Sequence, residues 1–529
     1  MAFFSIRHGR RVLCSVLALL LGLGPVLSHA QLPSLGDGSD MGAGAERRLG
    51  DRIVRELYRD PDYLDDPVLV EYLQGIWQPL LAAARSRGEM SEELQERFAW
   101  ELLLGRDRMV NAFALPGGYM GVYAGLIAVT DSRDELASVL AHELSHVTQR
   151  HISRLITQQS RTTPLMLAAM VLGALAASKS PQAANALIVG GTAVASQVQL
   201  NFSRAMEREA DRVGYGVMTQ AGFDGQGFAA MFEKLQQASR LNDNGAFPYL
   251  RSHPLTTERI ADMRARVPLA SGGAPQRQER GAAAAADAAA AEARLPTVTV
   301  SAASGSLEHA LVAARARVIS RPDVDALRAW AAEPDQGGFT AQPPRRQKVA
   351  LYAGALALLQ QRDFERARAQ AARLAPMVAD DAPAARLVRL LSAEIELRAG
   401  NGARAAALVV QGAPSGRPEL IYYAEASQHG SGARDVADRL QTWVAGHPRD
   451  ATAWQLLAVA YRAIGQPLRA LRAEAEAQVA HLDWAGAVDR YKAGQELMRR
   501  QGGDYIEASI IDTRLREAES RLKEDAAER

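Results

Sequence analysis

The 529-residue chain contains a single cysteine, Cys14, and few aromatic residues. One cysteine excludes a disulfide scaffold and a metal site built from thiolates. Phenylalanine, tyrosine and tryptophan make up 6% of the chain, which argues against an all-β fold, and the abundant alanine favours helices. With 48% hydrophobic and 23% charged residues, the composition is that of globular domains, and the length suggests about three of them.

A strong net charge is also absent. The 61 lysines and arginines nearly balance the 60 aspartates and glutamates, which leaves a net charge of +1. The sequence has no basic stripe with interleaved aromatic residues. We therefore expect no nucleic-acid partner, because nucleic-acid binding depends on concentrated positive charge.

Residues 1–30 have the layout of a secretory signal peptide. Three arginines lie within the first eleven residues, an apolar run follows over 12–27, and small residues stand at positions 28 and 30. We expect cleavage after Ala30 and therefore export, with a retained N-terminal anchor helix as the alternative. A mature chain without cysteine suits an oxidising compartment.

The rest of the chain divides into three parts. Residues 45–268 combine helical and strand patterns and hold the candidate chemistry, 269–306 are a linker rich in alanine and glycine, and 307–525 are helical. Within 162–203 only Lys179 is charged, and the apolar runs are shorter than the ~18 residues of a membrane-spanning helix. We expect two helices that cover the candidate site as a lid, with peripheral membrane contact through 162–203 and a membrane hairpin as the alternative.

The helical part has the features of repeats. Ala458 and Ala470 lie 12 residues apart across a break at Gly465, and Ala393 and Ala405 have the same spacing. Small residues at such positions let antiparallel helices approach closely. The pattern resembles tetratricopeptide repeats and predicts an α-solenoid whose concave face binds a peptide or protein segment. A generic helical bundle is the alternative.

The stretch HELSH at residues 142–146 carries the candidate chemistry. Apolar residues at helical spacing surround it, and Asp131 or Ser132 can cap the start of the helix, with Glu135 three residues after Ser132 as in a capping box. Because residues four apart are neighbours on a helix, His142 and His146 can share one divalent ion. Glu143 can then reach a water molecule on that ion and take its proton, which indicates hydrolysis of amides. Two solvent-facing histidines are the alternative.

A third protein ligand is needed, and two candidates follow along the chain. His151 is rejected because, nine residues after His142, it points to the opposite side of a continuous helix. We expect it at the surface or behind the ligands. Glu207 and Asp211 share one helix face, so we predict that Glu207 binds the metal and that Asp211 supports catalysis by orienting a ligand imidazole. Glu209 is expected to point away, and an exposed, salt-bridged helix is the alternative.

HELSH and the downstream Glu-x-x-Ala-Asp at 207–211 resemble the gluzincin metallopeptidases of the CAAX-endopeptidase and heat-shock membrane protease type. The resemblance covers residues 45–268 well and the helical part loosely. It implies a mainly α, zincin-like domain with a small β-sheet, followed by the tetratricopeptide-like solenoid. It also implies one zinc ion bound by His142, His146 and Glu207, with Glu143 as general base.

The export signal and the repeats narrow the resemblance to family members of the Gram-negative periplasm. That resemblance implies two kinds of partner: unfolded or partly assembled outer-membrane proteins, and their assembly machinery. We therefore predict a zinc-dependent periplasmic endopeptidase that cleaves stalled or misassembled outer-membrane proteins and helps their assembly. The alternative is a non-proteolytic chaperone or scaffold that acts through its repeats. Glu143 favours the enzyme, because a structural zinc site is closed by four ligands and does not need it.

Residues 111–123 read as two strands joined by a turn at Gly117-Gly118, just before the HELSH helix. An edge strand beside the metal would bind an extended substrate by strand addition, which suits an unfolded client. An ordinary hairpin without substrate contact is the alternative.

His253 is the last candidate site residue. The following Pro254 keeps it out of a regular helix. Its imidazole could fill the fourth metal position and switch the enzyme off, or stabilise an oxyanion, or bond to nearby backbone. Under the switch interpretation, His253→Ala raises proteolysis, whereas unchanged or lower activity counts against it.

Overall fold

The structure is a computed structural model that describes residues 41–158, 203–241, 247–266, 305–410, 416–428 and 432–527. The described chain is mainly α-helical with one small β-sheet, which confirms the predicted fold class. The predicted signal peptide, nearly all of the predicted linker and the segment 162–202 lie outside the described residues. The domain boundaries therefore stay predictions.

The N-terminal part consists of helices around a short sheet. Its elements are α1 (Ala43–Arg59), α2 (Pro67–Ser86), α3 (Glu92–Arg97), β1 (Glu101–Gly105), β2 (Ala112–Leu115), β3 (Tyr119–Tyr123), α4 (Ala124–Val129), α5 (Arg133–Thr148), α6 (His151–Gln158), α7 (Arg204–Gln220), α8 (Gln226–Leu241), α9 (Tyr249–Ser252) and α10 (Thr257–Arg266).

The C-terminal part is a succession of helices in which chain neighbours pack against each other. They are α11 (Leu307–Ile319), α12 (Val324–Ala332), α13 (Pro344–Gln360), α14 (Phe364–Leu374), α15 (Ala382–Arg398), α16 (Gly402–Val410), α17 (Arg417–Ser427), α18 (Ala433–Gly446), α19 (Ala451–Ala463), α20 (Pro467–Ala480), α21 (Trp484–Gln501) and α22 (Tyr505–Ala527). Among the helices that the structure describes, none is long and apolar enough to cross a membrane.

The sheet places an edge strand beside the HELSH helix. Its order is β1-β3-β2, with β1 parallel and β2 antiparallel to β3. Gly117 and Gly118 turn the chain between β2 and β3 with φ of 75° and 85°, a backbone region that glycine adopts without steric cost. The predicted hairpin is thus confirmed, and β2 lies at one edge of the described sheet. The pairing with β1 was not predicted.

Helix α5 forms the centre of the N-terminal part. Ser132 caps its N-terminus: the serine hydroxyl accepts a hydrogen bond from the Glu135 backbone N–H at 3.1 Å. Every residue from Glu135 to Thr148 is buried, because the sheet, α2, α7 and α8 surround the helix. A helix packed on all sides holds its side chains in fixed positions, and α5 is the helix that carries HELSH.

The helical part docks on the N-terminal part mainly through α2 and α4. Leu69 and Leu73 of α2 belong to the same buried hydrophobic cluster as Leu311 and Val312 of α11. The two parts therefore share a core rather than only touching at their surfaces.

His309 of α11 is buried at this junction. Its Nε2 lies 2.9 Å from the carbonyl oxygen of Thr130, and its Nδ1 lies 2.7 Å from the hydroxyl of Tyr72. Because the Thr130 carbonyl can only accept, Nε2 carries the proton and Nδ1 accepts from the tyrosine. Burial lowers the pKa of His309 to about 4, with the hydrogen bond to Thr130 opposing the shift.

We expect His309 to make the protein lose stability on acidification. Its pKa is lower in the folded than in the unfolded chain, so the unfolded chain binds the extra proton as the pH falls from about 6.5 to about 4. The stability lost over this range is roughly 3 kcal/mol. The measurement is the urea unfolding midpoint at pH 7 and pH 4.5 for wild type and for His309→Gln, whose amide can still donate to Thr130. Equal pH dependence in the two proteins would contradict the expectation.

Candidate metal centre

Two histidines of α5 form one side of the site. His142 and His146 lie one helical turn apart, are 1% and 0% exposed, and bring their Nε2 atoms to 3.0 Å from each other. The predicted alternative of two solvent-facing histidines is wrong, because α5 is enclosed on all sides.

Helix α7 supplies the acidic side of the site. At Gly214 a Cβ atom would lie 3.0 Å from the Ala141 carbonyl oxygen of α5, so a larger residue would push the two helices apart. This close approach brings Glu207 and Asp211, each 1% exposed, against the histidines. The predicted alternative of an exposed, salt-bridged helix is wrong for these two carboxylates.

Four side chains converge on one point: His142, His146, Glu207 and His253 each offer a ligand atom, and these atoms lie within 4.8 Å of one another. Glu207 Oε2 is 3.5 Å from His142 Nε2, and Glu207 Oε1 is 3.4 Å from His146 Nε2. In tetrahedral zinc sites with bonds of about 2.0–2.2 Å, neighbouring ligand atoms lie about 3.3–3.5 Å apart. The spacing and the nitrogen and oxygen donors both fit a divalent ion such as zinc.

Asp211 stands behind His142. Its Oδ1 lies 2.9 Å from His142 Nδ1, and Arg259 of α10 binds both of its oxygens, at 2.6 and 2.7 Å. Because a carboxylate only accepts, Nδ1 carries a proton, and in the neutral imidazole it is Nε2, the atom that faces Glu207, that keeps the lone pair for a metal. Arg259 Nη1 also lies 2.7 Å from Glu207 Oε2, so one guanidinium holds both acids of α7.

The electrostatics of the site favour a bound cation. Burial lowers the pKa of His142, but its hydrogen bonds to Asp211 and Glu207 outweigh this and raise the pKa to about 9. Burial would raise the pKa of Glu207, yet the neighbouring His253 and His142 hold it well below the usual range. The carboxylates therefore stay negative and stabilise positive charge on the histidine side.

Glu143 lies between the ligands and the edge strand. Its Oε2 accepts a hydrogen bond from the Ala114 backbone N–H of β2 at 3.0 Å, and its Oε1 lies 3.4 Å from His253 Nε2. Burial raises its pKa, although His253 and His142 oppose the shift. A carboxylate of raised pKa beside, but outside, the ligand set is placed to accept a proton.

His253 follows the short helix α9 and is 2% exposed. Its Nδ1 lies 3.1 Å from Glu207 Oε1 and 3.3 Å from His142 Nε2. Its ring stacks on Tyr249 with centroids 4.6 Å apart. These contacts bring it into the ligand cluster, at the position that the fourth-ligand interpretation requires.

Two further buried groups belong to this site, and no signal in the sequence pointed to the first of them. Arg259 carries no signal in its spacing, and it is one of 61 basic residues in the chain. His151 is fully buried, so the surface alternative for it is wrong. The other predicted position, behind the ligands, is the one observed, although the helix is not continuous: α5 ends at Thr148 and the chain turns back before His151.

Comparison with known proteins assigns this part of the chain to a class. Residues 79–267 match the family described as Peptidase family M48. The matched region contains the HELSH motif, Glu207 and His253, and it is therefore a metallopeptidase domain of that family. This confirms the predicted resemblance for the N-terminal part, whereas the tetratricopeptide resemblance of the helices from α11 onward stays a prediction.

The chain is also similar to several named proteins. The chain is 36% identical over 239 residues to the Putative beta-barrel assembly-enhancing protease of Vibrio cholerae and 34% identical over 238 residues to the Beta-barrel assembly-enhancing protease of Escherichia coli, in both cases covering 45% of this chain and 47% of the relative. It is 33% identical over 171 residues to the Mitochondrial metalloendopeptidase OMA1 of Schizosaccharomyces pombe, covering 32% of this chain and 48% of the relative. The chain thus spans about half the length of these relatives.

Proposed function

We propose that the chain is a zinc-dependent endopeptidase that cleaves misassembled or stalled outer-membrane proteins and helps their assembly. The observation that carries the proposal is the place of Glu143. It is a buried carboxylate of raised pKa that lies next to the cluster of candidate metal ligands but does not belong to it. A site built only to hold the fold would need no such group.

When bound by His142, His146 and Glu207, zinc would supply Lewis acidity to the substrate carbonyl and to a nucleophilic water molecule. The chain's own residues transfer the proton and hold the ligands in place. Glu143 accepts the proton of the water and passes it to the nitrogen of the leaving amine. Asp211 keeps His142 oriented as this happens.

The edge of β2 supports a substrate in extended conformation. Since the Ala114 N–H points away from β3 toward Glu143, the carbonyl of the same residue points the same way, as in any antiparallel pair. A substrate strand added along this edge would lie with a peptide bond beside Glu143. Recognition through backbone atoms suits unfolded clients of varied sequence.

His253 is proposed as a fourth ligand that must leave before the substrate carbonyl can enter. Its contacts with Glu207 and Glu143 support this role over the oxyanion and backbone alternatives. While His253 occupies the fourth metal position, the resting protease would be inactive among folded proteins, and a substrate would have to displace it.

The proposed location and partners rest on the names of the relatives and on the sequence. The names of two relatives refer to enhanced assembly of β-barrels, which supports clients and assembly machinery of the outer membrane as partners and hence a periplasmic location. The helices from α11 to α22 would recruit these clients, as repeat surfaces commonly do. Peripheral membrane contact through 162–203 remains part of the proposal.

Metal analysis combined with a cleavage assay tests the proposed function. We expect the purified protein to carry one zinc ion per chain and to cleave casein. Removal of the metal with a chelator should abolish cleavage, and one equivalent of zinc should restore it, because the ligands are preformed. Absence of stoichiometric metal, or cleavage that survives complete metal removal, would overturn the proposal.

A further inference from the structure

The chain reverses direction directly after the HELSH helix. Helix α5 ends at Thr148, and Arg150 adopts φ of 52°, the left-handed region that costs a residue other than glycine about 1–2 kcal/mol. The guanidinium of Arg150 is anchored on the Glu46 carboxylate of α1 at 2.9 Å. The reversal folds His151 back under the helix that it would otherwise have extended.

The reversal brings His151 to the rear of a metal-site histidine. Its Nδ1 lies 2.9 Å from His146 Nδ1, and its Nε2 lies 3.1 Å from Glu209 Oε2. Glu209 is held in turn by Arg154 of α6, at 3.0 Å. The side chain of His151 is fully buried, so these contacts are shielded from water.

The partners determine where the protons lie. Glu209 is a carboxylate and only accepts, so His151 carries its proton on Nε2. Its Nδ1 then holds a lone pair and accepts the Nδ1 proton of His146. His146 is left with a lone pair on Nε2, the atom that faces Glu207 at 3.4 Å.

Acidic residues of one helix thus support both metal-site histidines. Asp211 of α7 fixes His142 directly, and Glu209, two residues earlier on α7, fixes His146 through His151. Together with the ligand Glu207, three acids of one helix would have three separate tasks. The outward direction predicted for Glu209 is consistent with this task.

We propose that His151 is a positioning residue that, supported by Glu209, holds His146 in the tautomer and orientation needed to bind the metal. The proposal rests on the metal site of the proposed function and adds a residue outside the ligand set. Loss of such supporting hydrogen bonds typically weakens metal binding about 10–100-fold.

Zinc affinity of the full-length protein, measured by competition with a chromophoric chelator, tests the proposal. His151→Leu removes the acceptor for His146 and should weaken zinc binding about 10–100-fold. His151→Asn places Oδ1 where the imidazole Nδ1 stood, so it should recover a large part of the affinity. His309→Leu is the matched control, since it removes another fully buried histidine with two hydrogen bonds, and it should leave zinc affinity unchanged.

Glu209→Leu is a second test of the proposal. It does not place a new side chain in a fully buried position, because the Glu209 side chain is 13% exposed. It should weaken zinc binding while His151 is still present, and Glu209→Gln, which can still accept, should weaken it less. Wild-type zinc affinity in Glu209→Leu and in folded His151→Leu would overturn the proposal, as would equal losses in His151→Asn and His151→Leu. A wild-type protein that binds no zinc would instead overturn the proposed function.

Discussion

Glu143→Gln is expected to lower casein cleavage about 10²–10⁴-fold and to leave zinc bound. The amide oxygen of glutamine can still accept from Ala114 N–H, so the side chain keeps its place, but it cannot take a proton from water. Glu143 lies outside the ligand cluster, so metal content should not change. The measurement pairs the initial cleavage rate with the zinc content of the same preparation.

Glu233→Gln is the matched control. Glu233 lies on α8 with 56% of its side chain exposed, so its substitution should leave cleavage unchanged. Retained cleavage in Glu143→Gln would contradict the assignment of the general base.

A measurement of outer-membrane protein assembly in cells distinguishes the predicted protease from the predicted scaffold. If Glu143→Gln restores assembly as fully as wild type while cleaving nothing, the scaffold alternative accounts for that role.

The candidate site could be predicted from the sequence to the extent that it depends on helical periodicity. His142 and His146 are four apart on one helix, and Glu207 and Asp211 are four apart on another, so each pair shares a face whatever the tertiary structure. The structure brings the two pairs together. Their roles in catalysis stay predictions until activity is measured.

The unpredicted part of the site depends on interruptions and on tertiary contacts. No proline or glycine marks the turn at Arg150, because its left-handed backbone is held by a distant partner, Glu46. Without that turn, helical geometry placed His151 on the opposite side of a continuous helix from His142. Arg259 reaches both acids of α7 only because α10 packs beside α7, which nothing in local sequence shows.

The docking of the helical part on the peptidase domain was the largest gap in the prediction, since the linker between them carries no information on contacts. In the structure the buried guanidinium of an arginine makes one of these contacts. Arg315 of α11 is 1% exposed and binds Asp66, at the start of α2, with Nη2 at 2.6 Å from Oδ2. Its Nη1 also binds Glu394 of α15 at 2.8 Å.

Arg315→Met is expected to destabilise the folded protein by about 3–5 kcal/mol, because it leaves two enclosed carboxylates without their cation. The urea midpoint, followed by tryptophan fluorescence, measures the loss. Adding Asp66→Asn should recover part of it, since the asparagine is neutral and can still cap α2. Arg321→Met is the control, because Arg321 pairs with Asp62 between the same two parts but is 54% exposed, and such pairs contribute about 0–1 kcal/mol. Equal midpoints for Arg315→Met and Arg321→Met would mean that the buried pair does not hold the two parts together.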